Sequence, residues 1–596
     1  MIKKILLTSL FLVALVLLSR PGAPAMAACA GGTVTACGAD PSGKTDSTAA
    51  FAAAIAATPA GGTLTIPAGT FALSSATVIS KPITLLCQGT IKPFVNPPGP
   101  TPFFLALAAP FIFDGHNGAC VFDGVSAATN NFIAAVMVAG TNDFIGPAKV
   151  TGLHIRNLAL NQTAAPYEGI AMTAVKNCTV SNNTIENSGP NKSYAGGFAI
   201  YLQYTAGCTI SGNTGDHIGS VFINDSASVG NTVSGNKASY VTLFAYKGGY
   251  GTGLAVGAQG TPGPSAFTVS DGSYARSALT SGKFINIRHA GGAIMEGTVD
   301  HWVAGPGFIT IFLTTPMAAA PTVGDQIEPL SSSMKYINNS CSWTGDNCYD
   351  INGWRDFTIT NQTCNYAGEY KPTGAPFNGL ATCIWLGYDP QDPTSTYRGL
   401  SARITGTVAD HVGGTGIMVT EGVVNVVIDN YKLTNINELN LGGDEGCGIA
   451  LNPLNTNPNS RGTDLHIGRG TITANTPNSC LAWIENAVGD SIDGLTGTAA
   501  NGIMVDAGSL DTVSNTQVTA TGTTDHTYAY AAGPGGGAHE AGAVFRNNHG
   551  RLTAPNWGAG HGYGFISMSP ANTGIDVDGS NSVTATGAGF VPRAGF

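Results

Sequence analysis

Carboxylates and aromatic rings recur at matching places in a series of short apolar segments, and chemistry would sit there. Aligning the segments puts Thr173, Tyr201, Asn224, Asn352, Thr420, Asn452 and Asp506 in one outward position, with Asp225, Asp350, Asp389 and Glu421 next to it. Two carboxyl groups can break a glycosidic bond when one, held protonated, donates to the leaving oxygen and the other is ionised. A separation of ~5–5.5 Å suits direct attack by the second, and ~6.5–9.5 Å leaves room for a water. Asp350 and Asp389 are the first candidates, because they lie on neighbouring segments; Asp225 and Glu421 stand in reserve. His411, preceded by Asp410, is a candidate acid–base imidazole, and Asp216-His217 repeats the pattern. Tyr201, Asn224, Asn352, Trp385 and Tyr388 are the candidate substrate-binding groups, their rings able to stack on sugar faces. Each has a plainer reading as a solvated or turn carboxylate, a turn-bonded histidine or a packed ring, and for Trp354 packing is at least as good an account.

The segments belong to a repeating unit: a short apolar strand, a few polar residues, a second strand with Asn, then a turn. Gly169-Ile170-Ala171-Met172-Thr173 with Cys178-Thr179-Val180-Ser181-Asn182-Asn183 is one copy, and Gly197-Phe198-Ala199-Ile200-Tyr201 with Cys208-Thr209-Ile210-Ser211-Gly212-Asn213 the next. A period of roughly 20–30 residues signals a solenoid, whose strands bury a face only by stacking coil on coil. The expected fold is all-β, a right-handed parallel β-helix, in which neighbouring coils lie about 4.8 Å apart and bring side chains into columns. Asn at the turns tolerates the left-handed conformation and can bond along the stack. Thr48 to Ala57, Ala-rich and preceded by Asp46 and Ser47, reads as a short helix capping the N-terminal end. The repeat breaks over 248–333, read as a small β-rich insertion that would wall a cleft beside the helix. The predicted organisation is a signal peptide at 1–27, coils at 28–247 and 334–520 around that insertion, and a Gly/Ala-rich cap or tail at 521–596.

Lys3 and Lys4, the apolar run Ile5 to Leu18 and the small-x-small site Ala25-Met26-Ala27 read as an export signal, so a secreted or periplasmic location is expected. No later run is apolar enough to span a membrane. Net charge is −10 with only 26 Lys and Arg, which excludes a basic nucleic-acid surface and weighs against a polyanionic partner unless a cation bridges the two. Twelve cysteines suit an oxidising compartment. Cys29/Cys37 and Cys341/Cys348 are near enough to pair, no cysteine or histidine cluster has zinc spacing, and Cys178 and Cys208 read as small buried hydrophobes.

The stretch Gly38-Ala39-Asp40-Pro41-Ser42-Gly43-Lys44-Thr45-Asp46-Ser47-Thr48, followed by Gly61-Gly62-Thr63-Leu64-Thr65-Ile66-Pro67-Ala68-Gly69-Thr70-Phe71, resembles the opening of the pectate-lyase-like superfamily. There the first motif leads into the cap helix and the second forms the first coil. The resemblance implies a secreted, carbohydrate-active parallel β-helix of the kind found in polygalacturonase- and rhamnogalacturonase-like enzymes and tailspikes. Asp346-Asn347-Cys348 is similar to part of the second polygalacturonase motif, with Asn347 where an aspartate is usual, and Tyr388-Asp389-Pro390 resembles a mannuronan epimerase signature with Gln391 where a histidine is usual. The expected function is a glycoside hydrolase without cofactor, acting on a polysaccharide or oligosaccharide. The alternatives are a lyase or epimerase of uronic-acid polymers, for which Ca²⁺ would serve, and a non-catalytic carbohydrate-binding protein or adhesin. Oligomerisation through the tail is a further expectation.

Overall fold

The computed structural model describes residues 29, 32–124, 131–159, 167–189, 197–251, 253–272, 274–289, 294–371, 380–387, 400–420, 423–451, 462–523, 527–533, 539–554, 561–586 and 589–595. The proposed signal segment lies outside them.

The opening motif has a definite job. Asp40 accepts hydrogen bonds from the backbone and hydroxyl of Ser42 and of Thr45, closing the turn. Asp46 does the same for Thr48 at 2.9 and 2.6 Å, and so starts the helix Thr48–Ala57. Phe51 and Ile55 on that helix cover the open end of the core.

Behind it the chain winds as a parallel β-helix of three sheets. Sixteen described strands make the sheet that carries the candidate site, which we call the face sheet. A second sheet follows each face strand, and a third completes the turn, as in Tyr167–Thr173, Cys178–Ser181 and Thr184–Ser188. Register is kept coil after coil: Ile170 pairs with Ile200, Ile200 with Ile223, Ile223 with Tyr246 and Tyr246 with Tyr349. These inward residues form one core running the length of the described solenoid.

The corner between the second and third sheets shows why the sequence repeats Asn-Asn and Gly-Asn. Its first residue is left-handed, a conformation only Gly and Asn adopt cheaply, as at Asn182, Gly212, Gly235 and Asn361. The next turns inward as a buried amide ladder, Asn183 to Asn213 to Asn236 to Asn339, with side-chain bonds of 2.9, 2.9 and 3.0 Å. Each amide satisfies backbone groups of neighbouring coils that burial would otherwise strand.

The solenoid strand Tyr246–Gly249 and the strand Ser331–Ser332 bracket a six-stranded antiparallel sheet with its own core of Phe267, Ile285, Ile287, Ile309 and Ile311. That core also takes in Tyr204 and Ala227 from the helix, so the insertion is packed onto the face sheet's edge. Beyond residue 520 the sequence suggests a cap or tail; instead Thr527–Ala532, Gly562–Ser567 and Phe590–Ala594 continue the face sheet. Small residues there still pack because their neighbours, such as Tyr530 and Phe565, are large and stacked.

All twelve cysteines pair: 29–37, 87–120, 178–208, 341–348, 364–383 and 447–480. Cys178 and Cys208 are therefore bonded rather than free small hydrophobes. They occupy the same place in successive coils, which sets their Cα atoms 4.4 Å apart. No described helix is long and apolar enough to cross a membrane.

Candidate active site on the face sheet

The register resolves the single outward column expected from sequence into two. One runs Ala171, Tyr201, Asn224, Lys247, Asp350, Trp385, Met418. The other, two residues further along each strand, contains Thr173, Gln203, Ser226, Asn352 and Gly387. Tyr201, Asn224, Asp350, Asn352 and Trp385 thus share one face, over the coils from which the insertion departs. Asp225 does not. Because side chains alternate, it lies in the inward column between Leu202 and Gly248, and it is fully buried. Both its oxygens accept from Asn231 Nδ2, at 3.1 and 3.0 Å. Burial raises its pKa to about 6 against those bonds and the charge of Lys283. Asp225 is a structural acid that meets the insertion, not a group on the groove.

His411 is also elsewhere. It sits on the third sheet in the strand Val408–Val412, stacked on Tyr366 at 4.7 Å with Nδ1 2.6 Å from Glu438 Oε1. His217, Tyr240, Trp343, Tyr366 and His411 form one continuous pile of near-parallel rings there. The three inner rings have neighbours on both faces, and the pile braces the third sheet. Asp389, Tyr388 and Glu421 lie outside the described residues, so the Asp350–Asp389 pairing has no geometry here.

At the centre of the face Asp350, only 3 % exposed, receives Lys247 Nζ at 3.0 Å and Asn352 Nδ2 at 2.8 Å, both on Oδ1. Lys247 reaches over the Phe244 ring, 4.6 Å from its centroid, and is itself partly exposed. Asp346, buried at the corner leading into the same strand, accepts from the Ala381 backbone at 3.3 Å. Burial, and after it the negative charge of Asp350, push the Asp346 carboxyl up to about 8, so it keeps its proton at neutral pH. The site therefore holds a protonated carboxyl, a carboxylate and an ammonium within electrostatic reach of one another.

Polar and aromatic side chains flank this centre. Gly387 has no side chain where an ideal Cβ would fall 2.3 Å from Thr420 Oγ1 and 2.8 Å from the Trp385 indole. The indole folds over that gap. Trp385 Nε1, Thr420 Oγ1 and Asn352 Oδ1 are buried there without hydrogen-bond partners among the described residues. On the other side Tyr201 stacks on Phe198 at 5.0 Å. Glu168, paired in register with Phe198, has its pKa raised to about 7 by burial, and its charge helps raise that of Tyr201. Two disulfides underpin the centre: 341–348 ends at the residue before Tyr349, and 364–383 ends at the residue before Ile384. Of these groups, Asp346 went unmarked by the strand pattern because it lies at a corner, where alternation gives no sign. Lys247, one of only 26 Lys and Arg, stands next to the break in the repeat.

Residues 33–261 match the family described as Rhamnogalacturonase A/epimerase, pectate lyase-like. That match spans the N-terminal part of the described β-helix. Among solved structures the chain is similar to the A-module of an Azotobacter vinelandii mannuronan C-5 epimerase, with 11% identity over 82% of this chain and 98% of that one and a TM-score of 0.40. The Streptococcus pneumoniae surface protein and adhesin PfbA gives 13%, 86%, 99% and 0.41, and the tailspike of E. coli bacteriophage HK620 gives 12%, 92%, 80% and 0.42. No curated protein sequence matches.

Proposed function

We propose that this protein is a glycoside hydrolase acting on an extracellular polysaccharide, with Asp346 as general acid and Asp350 as the ionised partner. The observation that carries the reading is the contrast in surroundings of two neighbouring carboxyl groups. Asp346 is buried and protonated, while Asp350 is held beside the Lys247 ammonium. Environments that push two acids apart in this way assign them the acid and base roles. Asp346 would donate its proton to the leaving glycosidic oxygen. Asp350 would stabilise the developing positive charge at the anomeric carbon and either attack it or activate water. Trp385 and Tyr201 would bound the sugar, and Asn352 and Thr420 would bond its hydroxyls.

Lys247 supports a second reading. A partly exposed ammonium in the same column as Tyr201 could neutralise a uronate carboxylate, which lyases and epimerases require. Purified protein given a panel of neutral and uronic polysaccharides separates the two. Hydrolysis yields saturated products heavier than the parent fragment by one water, whereas elimination yields an unsaturated product that absorbs in the ultraviolet. Saturated products lost in Asp346→Asn and Asp350→Asn support the proposal; unsaturated products, or full activity in both variants, overturn it.

A further inference from the structure

Four of the cysteines meet beneath the candidate active site, where two coils run side by side. Cys341 and Cys364 are register partners on the third sheet, and Cys348 and Cys383 stand level at the start of two neighbouring face strands. All four belong to the core, and none is more than 2 % exposed. They pair within each coil, 341 with 348 and 364 with 383, with Cα atoms 6.0 and 5.7 Å apart. Yet the sulfurs of Cys341, Cys348 and Cys364 all lie within 4.8 Å of one another.

Elsewhere the molecule uses the other geometry. Cys178–Cys208 and Cys447–Cys480 each join register partners of neighbouring coils, with Cα atoms 4.4 Å apart in both. Adjacent parallel strands lie about 4.8 Å apart, inside the range of Cα separations that a disulfide spans. Cys341 with Cys364, and Cys348 with Cys383, meet the same condition. The four sulfurs can therefore close into two bonds in either of two ways: across the corner within a coil, or along the stack between coils.

We propose that this quartet is a thiol-exchange site with two disulfide isomers, interconverted by a small thiol. The thiolate RS⁻ attacks Cys348 Sγ, giving a Cys348–SR mixed disulfide and freeing the Cys341 thiolate. Cys341 attacks Cys364 Sγ, forming 341–364 and releasing the Cys383 thiolate. Cys383 attacks Cys348 Sγ, forming 348–383 and releasing RS⁻. Two disulfides are broken and two are made, so nothing is oxidised or reduced overall and the thiol is recovered. Burial of the sulfurs confines the exchange to a chain whose coils are open, as during folding. The isomers clip different elements. Within-coil bonds hold the corner between Cys341 and Cys348, which carries Asp346; between-coil bonds release that corner and staple one coil to the next. Any consequence for turnover through Asp346 rests on the hydrolase reading, whereas the exchange itself does not.

The test is peptide mapping of the whole protein before and after incubation in mild urea with a glutathione redox buffer, free thiols being blocked before digestion. Trypsin cuts after Lys335, Arg355 and Arg398 but spares Lys371, which precedes Pro372. Within-coil pairing releases peptides 336–355 and 356–398 separately, whereas between-coil pairing releases them as one linked species. Chymotryptic cleavage after Trp343 and Tyr370 then identifies 341–364 and 348–383. The linked species should grow at the expense of the separate peptides with glutathione and not without it. In the double variant Cys348→Ala, Cys383→Ala, the remaining Cys341 and Cys364 should bond each other, so the denatured protein should show no free thiol. Peptides that stay separate after incubation overturn the proposal, and so do the crossed pairing 341–383 with 348–364 or links to other cysteines. Free thiols at both remaining positions of the double variant overturn it equally. Should that variant fail to fold, the mapping of the parent protein decides.

Discussion

At the residue scale the pattern of burial, more than the identity of the acids, separates the roles. Asp225 and Asp350 look alike in sequence, each within two positions of an Asn in a strand, yet one points into the core and the other onto the face. A one-residue slip of alignment reverses a strand's faces, and that is the slip between Asn224 and Asp225. Asp346→Asn and Asp350→Asn should each lower turnover by about 10²–10⁴-fold, the usual worth of a positioned acid or base. Asp346 also sets a stability signature. Its folded pKa is about 8, raised from an ordinary 3.8, so between those values the unfolded chain gives up a proton that the folded one keeps. Folding is therefore disfavoured progressively as pH rises through that window, and not below it. Asp346→Asn should raise Tm relative to the parent at pH 8 and leave it nearly unchanged at pH 3.5, measured by calorimetry at both. Equal shifts at both values would remove the buried protonated carboxyl from the account.

At the scale of elements, the cap helix, the solenoid and the amide corners were legible because each rests on local chemistry. Asp46 before Thr48, Asn or Gly at the left-handed corner and alternating Ile and Val are all visible residue by residue. Pairings between distant residues were not. Cys178 with Cys208 depends on which coils are adjacent, and His411 with Tyr366 on which sheet a strand joins. The attachment of the insertion is another such pairing. Lys283 is buried, donates to the Ala227 carbonyl and faces Asp225, and burial lowers its pKa to about 7 against the charge of Asp225. Lys283→Met should leave Asp225 buried without that charge, cost about 1–3 kcal/mol, and expose the insertion to proteolysis before the solenoid. Limited digestion followed by mass mapping would show first cuts between residues 250 and 330; a cleavage pattern like the parent's would mean the insertion is held by its apolar contacts alone. The 364–383 disulfide closes a span of 19 residues. Replacing both cysteines with Ala should cost about 3 kcal/mol by loop entropy. The loss should appear in denaturant unfolding, with turnover falling further because the Trp385 strand loses its anchor.

For the molecule as a whole, the long described core and the regular register mean that stability is built from one coil against the next, so no single contact between distant coils is needed. Charge is the property that acts over the whole length. A net −10 spread along a helix with few cations leaves Lys247 as a local exception in the face sheet. Approach of a polyanion is opposed over the surface at large and favoured only at the last few ångströms, where screening is weak. For a neutral polysaccharide there is nothing for salt to screen. If the hydrolase reading holds, KM for the preferred neutral substrate should stay within about twofold as NaCl goes from about 0.05 to 0.5 M. With any uronic polymer that is also turned over, KM should fall as salt rises, because screening removes the long-range repulsion faster than it weakens the partly buried Lys247 contact. Initial-rate measurements on both substrates across that range check it. A KM for the uronic polymer that climbs with salt would show attraction dominating, and would move the assignment toward a lyase or epimerase built around Lys247.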